Sequence, residues 1–390
     1  VEKQKCPEIR FSNFDNEWND KDFKSIFNYT RPDKYIVKSS EYMDSKKTPV
    51  LTANKGFILG YTSETETFDQ ACIIFDDFTL DSKYVDFPFM VKSSALKILT
   101  IQNDEVDDLY FCHNLLKQAK IEVMGHARHY IGVVQPTKVK TALIEEQQEI
   151  SNFFQNLDQS IVLHEKKLIQ TQNFKKAMLE KMFPKQGSQR PEIRLKGFSG
   201  DWEVSKIGDI FEVTSGATPL RSNPRFFENA TINWVKTTDL NNGIIHKTEE
   251  KVSAVALAET SIKILPKGTV FVAMYGGFNQ IGRTGLLSAD ATCNQALSAI
   301  YPNDKVEPYF LLTYLNLKVD SWKELAASSR KDPNITKNDV LSFPLIYPSY
   351  DEQMKISKLF KQLDETINLQ QQQLQTVKNL KQAFLEKMFV

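Results

Sequence analysis

Side chains that can engage two neighbouring atoms at once, as Arg does on a guanine edge and Gln or Asn on an adenine edge, cluster on a few turns of this chain. Arg221 and Arg225 lie in Ser-Gly-Ala-Thr-Pro-Leu-Arg-Ser-Asn-Pro-Arg over 215–225, where small residues permit close backbone approach. Tyr275, Gln280 and Arg283 belong to Tyr-Gly-Gly-Phe-Asn-Gln-Ile-Gly-Arg over 275–283, and Arg330 and Lys331 to Ser-Ser-Arg-Lys-Asp-Pro-Asn over 328–334. The matching candidates nearer the start are Lys55 and Tyr61, around Gly56 and Gly60, and Arg128, His129 and Tyr130 in His-Ala-Arg-His-Tyr over 126–130. Taken singly, each is as readily a solvated group on an ordinary turn. His126 and His129 suggest a metal only with a third ligand, and none is evident.

Catalytic patterns fail one by one. The phosphate-binding pattern G-x-x-x-x-G-K-[ST] is absent, and Gly276, Gly277 and Gly282 do not form a dinucleotide fingerprint. Asn-Pro-Arg-Phe at 223–226 lacks the second proline of the turn with which amino-methyltransferases hold a target amine. Asp239, Glu249 and Lys251 imitate the carboxylate and lysine spacing of metal-dependent nucleases, but the pattern is short and common. The expectation is a chain that binds without catalysing, with no cofactor of its own; a nuclease using those three residues is the weaker alternative.

The elements that must carry these turns are short strands and helices. Residues 56–61, 71–75, 87–91, 268–275 and 281–287 read as strands, and 107–120 and 309–317 as helices. The class is α+β. The 390 residues suggest two to three domains. Lys and Arg total 49 against 49 Asp and Glu, so bulk electrostatics does not coat a polyanion; selective local contact is what remains. No apolar run approaches the roughly 18 residues of a membrane span, and Cys6, Cys72, Cys112 and Cys293 show no metal or disulfide spacing. These features fit the cytoplasm.

The chain is also an internal repeat. Residues 7–18 realign with 191–202 at an offset of 184, with 6 of 12 positions identical, and 145–184 realign with 351–390 at an offset of 206, with 18 of 40 identical. The interiors between these blocks share little, as expected for one scaffold holding two different readers. Alternating steps of four and three from Ile150 reach Phe154, Leu157, Ile161, His164, Leu168, Thr171, Lys175, Met178 and Met182, and the second copy runs from Ile356 to Met388 in the same way. This is a coiled-coil seam. From Ile150 to Met182 it would extend roughly 48 Å at the ~1.5 Å rise of a helix, a length that could act as a ruler. His164/Gln370 and Lys175/Lys381 are polar at matching levels; either they set the helix pairing or the lysines snorkel and the other pair faces solvent. Antiparallel pairing of the helices would give a pseudo-twofold internal repeat suited to duplex DNA. A helical interaction scaffold without a DNA role is the other alternative.

Together, the duplicated PEIR…W and LEKMF blocks, the (D/E)-E-Q…I…F…L-D…I run opening each helix, and the Ser215-Gly-x-Thr-Pro, Tyr275-Gly, Ile281-Gly-Arg and Asn294-Gln-Ala elements resemble the DNA-specificity subunit of type I restriction-modification systems. The resemblance covers essentially the whole chain. It implies two target-recognition domains, one at 1–143 and the other, with its linker, at 185–350, joined by two long antiparallel helices at 144–184 and 351–390 that form a coiled coil and set a spacer. It further implies that these helices, with Phe154, Leu157, Ile161, Leu168, Met182, Phe360, Leu363, Ile367, Leu374 and Met388, dock two copies of an adenine-methyltransferase subunit. S-adenosylmethionine would sit in that partner, and motor-nuclease restriction subunits would join for cleavage of double-stranded DNA.

Overall fold

Two stretches with no internal proline or glycine become the longest elements, the helices Ile144–Met182 and Tyr350–Lys387. Each opens on acidic residues, Glu145 and Glu146 or Asp351 and Glu352, and closes on a lysine, which complements the helix dipole at both ends. Pro184 cannot continue the first helix. The computed structural model describes residues 6–39, 42, 48–52, 56–121, 129–327 and 334–390.

The chain divides into two compact units, residues 1–166 with 372–390 and residues 167–371. In the first unit the start of the first long helix packs on the end of the second, so the two run antiparallel: Phe153 meets Phe384 edge-on at 5.0 Å and Phe154 lies 6.0 Å from Phe389. In the second unit the end of the first packs on the start of the second, with Phe183 6.0 Å from Phe360. All twenty seam positions are buried or half-buried.

The first reader is a four-stranded antiparallel sheet in the order Phe27–Thr30, Leu96–Ile101, Cys72–Asp76, Ser82–Val85, beside a three-stranded sheet of Ile58–Thr62, Thr48–Leu51 and Met90–Val91. Strand Cys72–Asp76 is buried at every position, as a central strand between two layers must be. The second reader has a five-stranded sheet, Val213–Ser215, Leu297–Ile300, Val270–Ala273, Thr284–Leu287, Ile244–Ile245, and a three-stranded one. Each reader is closed by a two-stranded antiparallel ribbon: Asn19–Asp22 with Lys138–Thr141, and Glu203–Lys206 with Pro344–Tyr347. The ribbon starts just after the repeated tryptophan and ends just before the long helix, so it ties the two ends of the variable region together. Trp18 packs on Phe111 and Phe389, while Trp202 packs on Phe183 and Phe310.

The sequence reading of a strand over 87–91 shortens to Met90–Val91. Phe89 instead makes an isolated bridge with Phe68.

Candidate nucleic-acid interface

In the second unit the turn over 275–283 leaves the buried strand Val270–Ala273 and exposes residues 275–279, with Tyr275 and Phe278 both open to solvent. The turn is held by its own backbone: Gln280 N donates to Gly277 O at 2.9 Å, and Gly282 N donates to Ala273 O at 3.0 Å. Gly282 has φ of 74°, and a Cβ there would lie 2.8 Å from Trp322 Cβ, so both conformation and space require glycine. Arg283 Nη1 donates to Gln280 Oε1 at 2.7 Å. The carboxamide therefore orients the guanidinium and leaves its other N–H groups as donors.

The neighbouring arginine loop works differently. Arg221 pairs with Glu250, and its guanidinium lies 5.0 Å from the Phe227 ring centre and 4.9 Å from that of Trp234. Arg225 bonds Glu259 at 2.8 Å. Lys236 adds bonds to Glu250 at 2.7 Å and Glu249 at 3.2 Å, and Arg221 first, then Lys236, hold the Glu250 carboxyl below its ordinary range. Arg221 and Arg225, expected from sequence to read bases, are exposed and each forms a surface ion pair with a carboxylate outside the loop. The loop is pinned at its base as well, because a Cβ on Gly216 would lie 2.0 Å from the Cys293 carbonyl oxygen.

The residues of the nuclease alternative lie in the same region. One Asp239 oxygen accepts from Lys236 N and the other from Glu249 N, both at 2.8 Å. The Glu249 carboxylate accepts from Lys236 Nζ at 3.2 Å and from Thr238 Oγ1 at 3.3 Å. Among the described residues no three potential ligands gather for a metal.

In the first unit Tyr61 is half-buried on the strand Ile58–Thr62, beside exposed Ile58 and Leu59. His129 and Tyr130 are interior residues, contrary to the expectation that they present side chains to DNA. Asp77 explains this: its carbonyl accepts from His129 N at 3.1 Å, its carboxylate accepts from Tyr130 N at 2.8 Å, and buried Lys97 lies 3.5 Å from that carboxylate. Lys55, Arg128, Arg330 and Lys331, and His126 with them, lie outside the described residues.

Beneath both readers is a polar frame that sequence reasoning did not assemble. Glu146 accepts from Arg10 Nε and Nη2 at 2.7 and 2.8 Å and from the Trp18 indole at 3.2 Å. Glu352 accepts from Arg194 at 2.9 and 2.7 Å. Gln147 accepts from Asp108 N and Gln353 from Glu307 N, each at 2.9 Å. Asp108 and Glu307 cap the reader helices Leu109–Gln118 and Pro308–Leu317 and take the hydroxyls of Ser151 and Ser357. Further along, Asp158 accepts from Tyr110 and Lys381, and Asp364 from Tyr309 and Lys175. The seam lysines are therefore partners in cross-helix ion pairs rather than snorkelling groups. Gln370 is buried, not solvent-facing. The signal available in the sequence was the 206 spacing of Glu, Gln, Ser, Asp and Lys in the repeated blocks.

The proposed docking residues Phe154, Met182, Phe360 and Met388 are buried within their own units, and Leu157, Ile161, Leu168, Leu363, Ile367 and Leu374 are half-buried. The apolar side chains left exposed on the long helices include Val162, Leu163, Ile169, Phe174, Leu369 and Leu380.

Comparison with known proteins adds an independent finding. A family model described as the type I restriction modification DNA specificity domain matches residues 15–173 and again 199–379. The specificity subunit of the type I restriction enzyme EcoR124I/EcoR124II of Escherichia coli is 28% identical over 359 residues, covering 88% of this chain and 86% of that one. The MjaVIII specificity subunit of Methanocaldococcus jannaschii is 23% identical over 311 residues, 76% of this chain and 72% of its own. In fold, the crystal structure of a type I restriction-modification S subunit from M. genitalium superposes with a TM-score of 0.70 at 15% identity, over 99% of both chains.

Proposed function

Because this chain belongs to the type I restriction modification DNA specificity family, we propose that it selects a bipartite site on double-stranded DNA, one half read by each unit, and directs methyltransferase and restriction subunits to it. The observation that carries this reading is the same polar frame built twice beneath two unlike sheets: what repeats is the mounting, and what differs is the surface mounted. The chain contributes recognition and no chemistry. S-adenosylmethionine belongs to the partner methyltransferase, of which two copies would dock on the long helices, and the exposed Val162, Leu163, Ile169 and Phe174 join the seam residues as candidates for that contact. Partner subunits would supply part of the phosphate grip that a chain of zero net charge lacks. The cytoplasm, where DNA and these partners meet, is its proposed location.

Within the second unit Arg283, held by Gln280, with Tyr275 on the same turn, is the proposed reading group; Arg330 and Lys331 belong to the same proposed set. In the first, Tyr61, Lys55 and Arg128 fill this role. Arg283→Ala is expected to weaken discrimination in one half-site by ~1–3 kcal/mol per lost base contact. Uniform loss on all sequences would instead make Arg283 a phosphate contact. Four residues inserted into the helix Ile144–Met182, about one turn, should change the tolerated spacer and leave both half-sites intact; a changed half-site would refute the ruler role. The decisive experiment maps methylated adenines in DNA exposed to this chain with its methyltransferase partner. A gapped two-part motif is expected. Methylation without sequence preference would favour a scaffold with no part in reading DNA.

A further inference from the structure

On each long helix one carboxylate receives two other elements at once. Asp158, on the first long helix, accepts from Tyr110 on the reader helix and from Lys381 on the second long helix. Asp364, on the second, accepts from Tyr309 at 2.7 Å and from Lys175 on the first. The junctions are copies with helix roles exchanged, since 158 + 206 = 364 and 175 + 206 = 381. The rest of the polar frame, Glu146, Gln147 and Ser151, clusters nearer the start of the helix. Asp158 lies seven residues beyond Ser151, roughly 10 Å along the axis. One anchor leaves a pivot; a second anchor two turns away fixes a direction.

The chemistry suits that task. A phenol has only two side-chain torsions, so its hydroxyl holds an angle that a lysine cannot. Burial, and next the adjoining carboxylate, push the Tyr110 and Tyr309 hydroxyls well above their ordinary pKa, so both remain donors. Asp158 and Asp364 are each about a third exposed, so these bonds add little to overall stability and act chiefly through direction. We propose that Tyr110–Asp158 and Tyr309–Asp364 are positioning pairs for site selection, each fixing the tilt of its own reader on the helix pair, with Lys381 and Lys175 holding the aspartates in place. This deepens the reading above and rests on it.

The test uses the full chain with its methyltransferase and restriction partners, and methylated adenines are mapped for wild type and variants. If wild type gives no two-part motif, the functional reading itself fails. Given that motif, Tyr110→Phe is expected to raise methylation of sites with one wrong base in the first reader's half by about fivefold, the scale of a lost charge-assisted hydrogen bond partly open to water. The other half and the spacer should be unchanged, and Tyr309→Phe should give the reciprocal pattern. Asp158→Leu, which removes the acceptor for the phenol, should behave like Tyr110→Phe. Melting temperatures within about 2 °C of wild type would accompany these changes. An intact motif in both tyrosine variants, equal relaxation of both halves, or fidelity losses that track loss of melting temperature would overturn the proposal.

Discussion

The two units mount their readers with closely matching side chains yet fill the reader helix differently, most plainly at one buried position. Aligned on Tyr110 and Tyr309, the helices place Phe111 opposite Phe310 and Leu116 opposite Leu315, but His113 falls opposite Leu312. Both are buried. In the first unit this position lines a cleft of ≈ 510 Å³ with Tyr84, Lys117, Asp158 and Lys381. In the second, Leu312 joins an apolar core containing Trp322 and Phe360. The acidic anchor differs too: Glu146 holds an arginine and a tryptophan, whereas Glu352 holds an arginine while the Trp202 indole nitrogen has no partner among the described residues. A duplicated mounting tolerates such drift because the bidentate ion pair and helix caps carry the attachment. The filling around them is free to become polar in one copy and apolar in the other.

The largest test of that comparison removes the anchors. Glu146→Ala and Glu352→Ala each remove both carboxylate bonds of a partly buried arginine and should cost about 2–3 kcal/mol, measured by denaturant unfolding. Glu146→Ala should be the worse by about 1 kcal/mol, since the Trp18 indole also loses its acceptor. Equal losses would show that the indole bond adds nothing. A smaller effect separates the units by pH. Burial, then Lys117, lowers His113 from an ordinary value of 6.5 to about 3. The unfolded chain therefore takes up a proton between these values that the folded chain refuses, and stability falls as pH drops through 6.5. His113→Leu should abolish this part of the decline. Its stability advantage over wild type should grow by about 1 kcal/mol between pH 7 and pH 5.5, read from melting curves at the two values; a constant offset would mean the imidazole is not buried neutral. The smallest effect should be shared by both units: Lys381→Met and Lys175→Met are each expected to change unfolding free energy by under about 1 kcal/mol, because the ion pairs are partly solvated. A large loss in one alone would make that unit's cross-helix pair a stability element.

Legibility in the sequence followed the range of the interactions. The heptad seam was readable because its information is periodic and local, and each of its positions avoids solvent in the structure. The α+β class and the reader helices were readable for the same reason. The ion pairs of Arg221 and Arg225 were not, because their partners Glu250 and Glu259 lie 29 and 34 residues away. His129 and Tyr130 looked like an exposed basic-aromatic turn until Asp77, 52 and 53 residues earlier, drew their backbone inward. Arg283 and Gln280 stand three residues apart on a glycine turn, close enough for their bond to follow from local geometry.

The sequence alone determined the repeat, the two long helices and the motifs that carry the family resemblance, since identity at a fixed offset and a heptad period are properties of a linear string. Tertiary structure decided which charges meet. A lysine at a seam level is either solvated or paired, and the difference for Lys175 and Lys381 came from a carboxylate 189 and 223 residues away, on the opposite helix. Only packing brings such groups within the few ångströms over which a hydrogen-bonded ion pair forms.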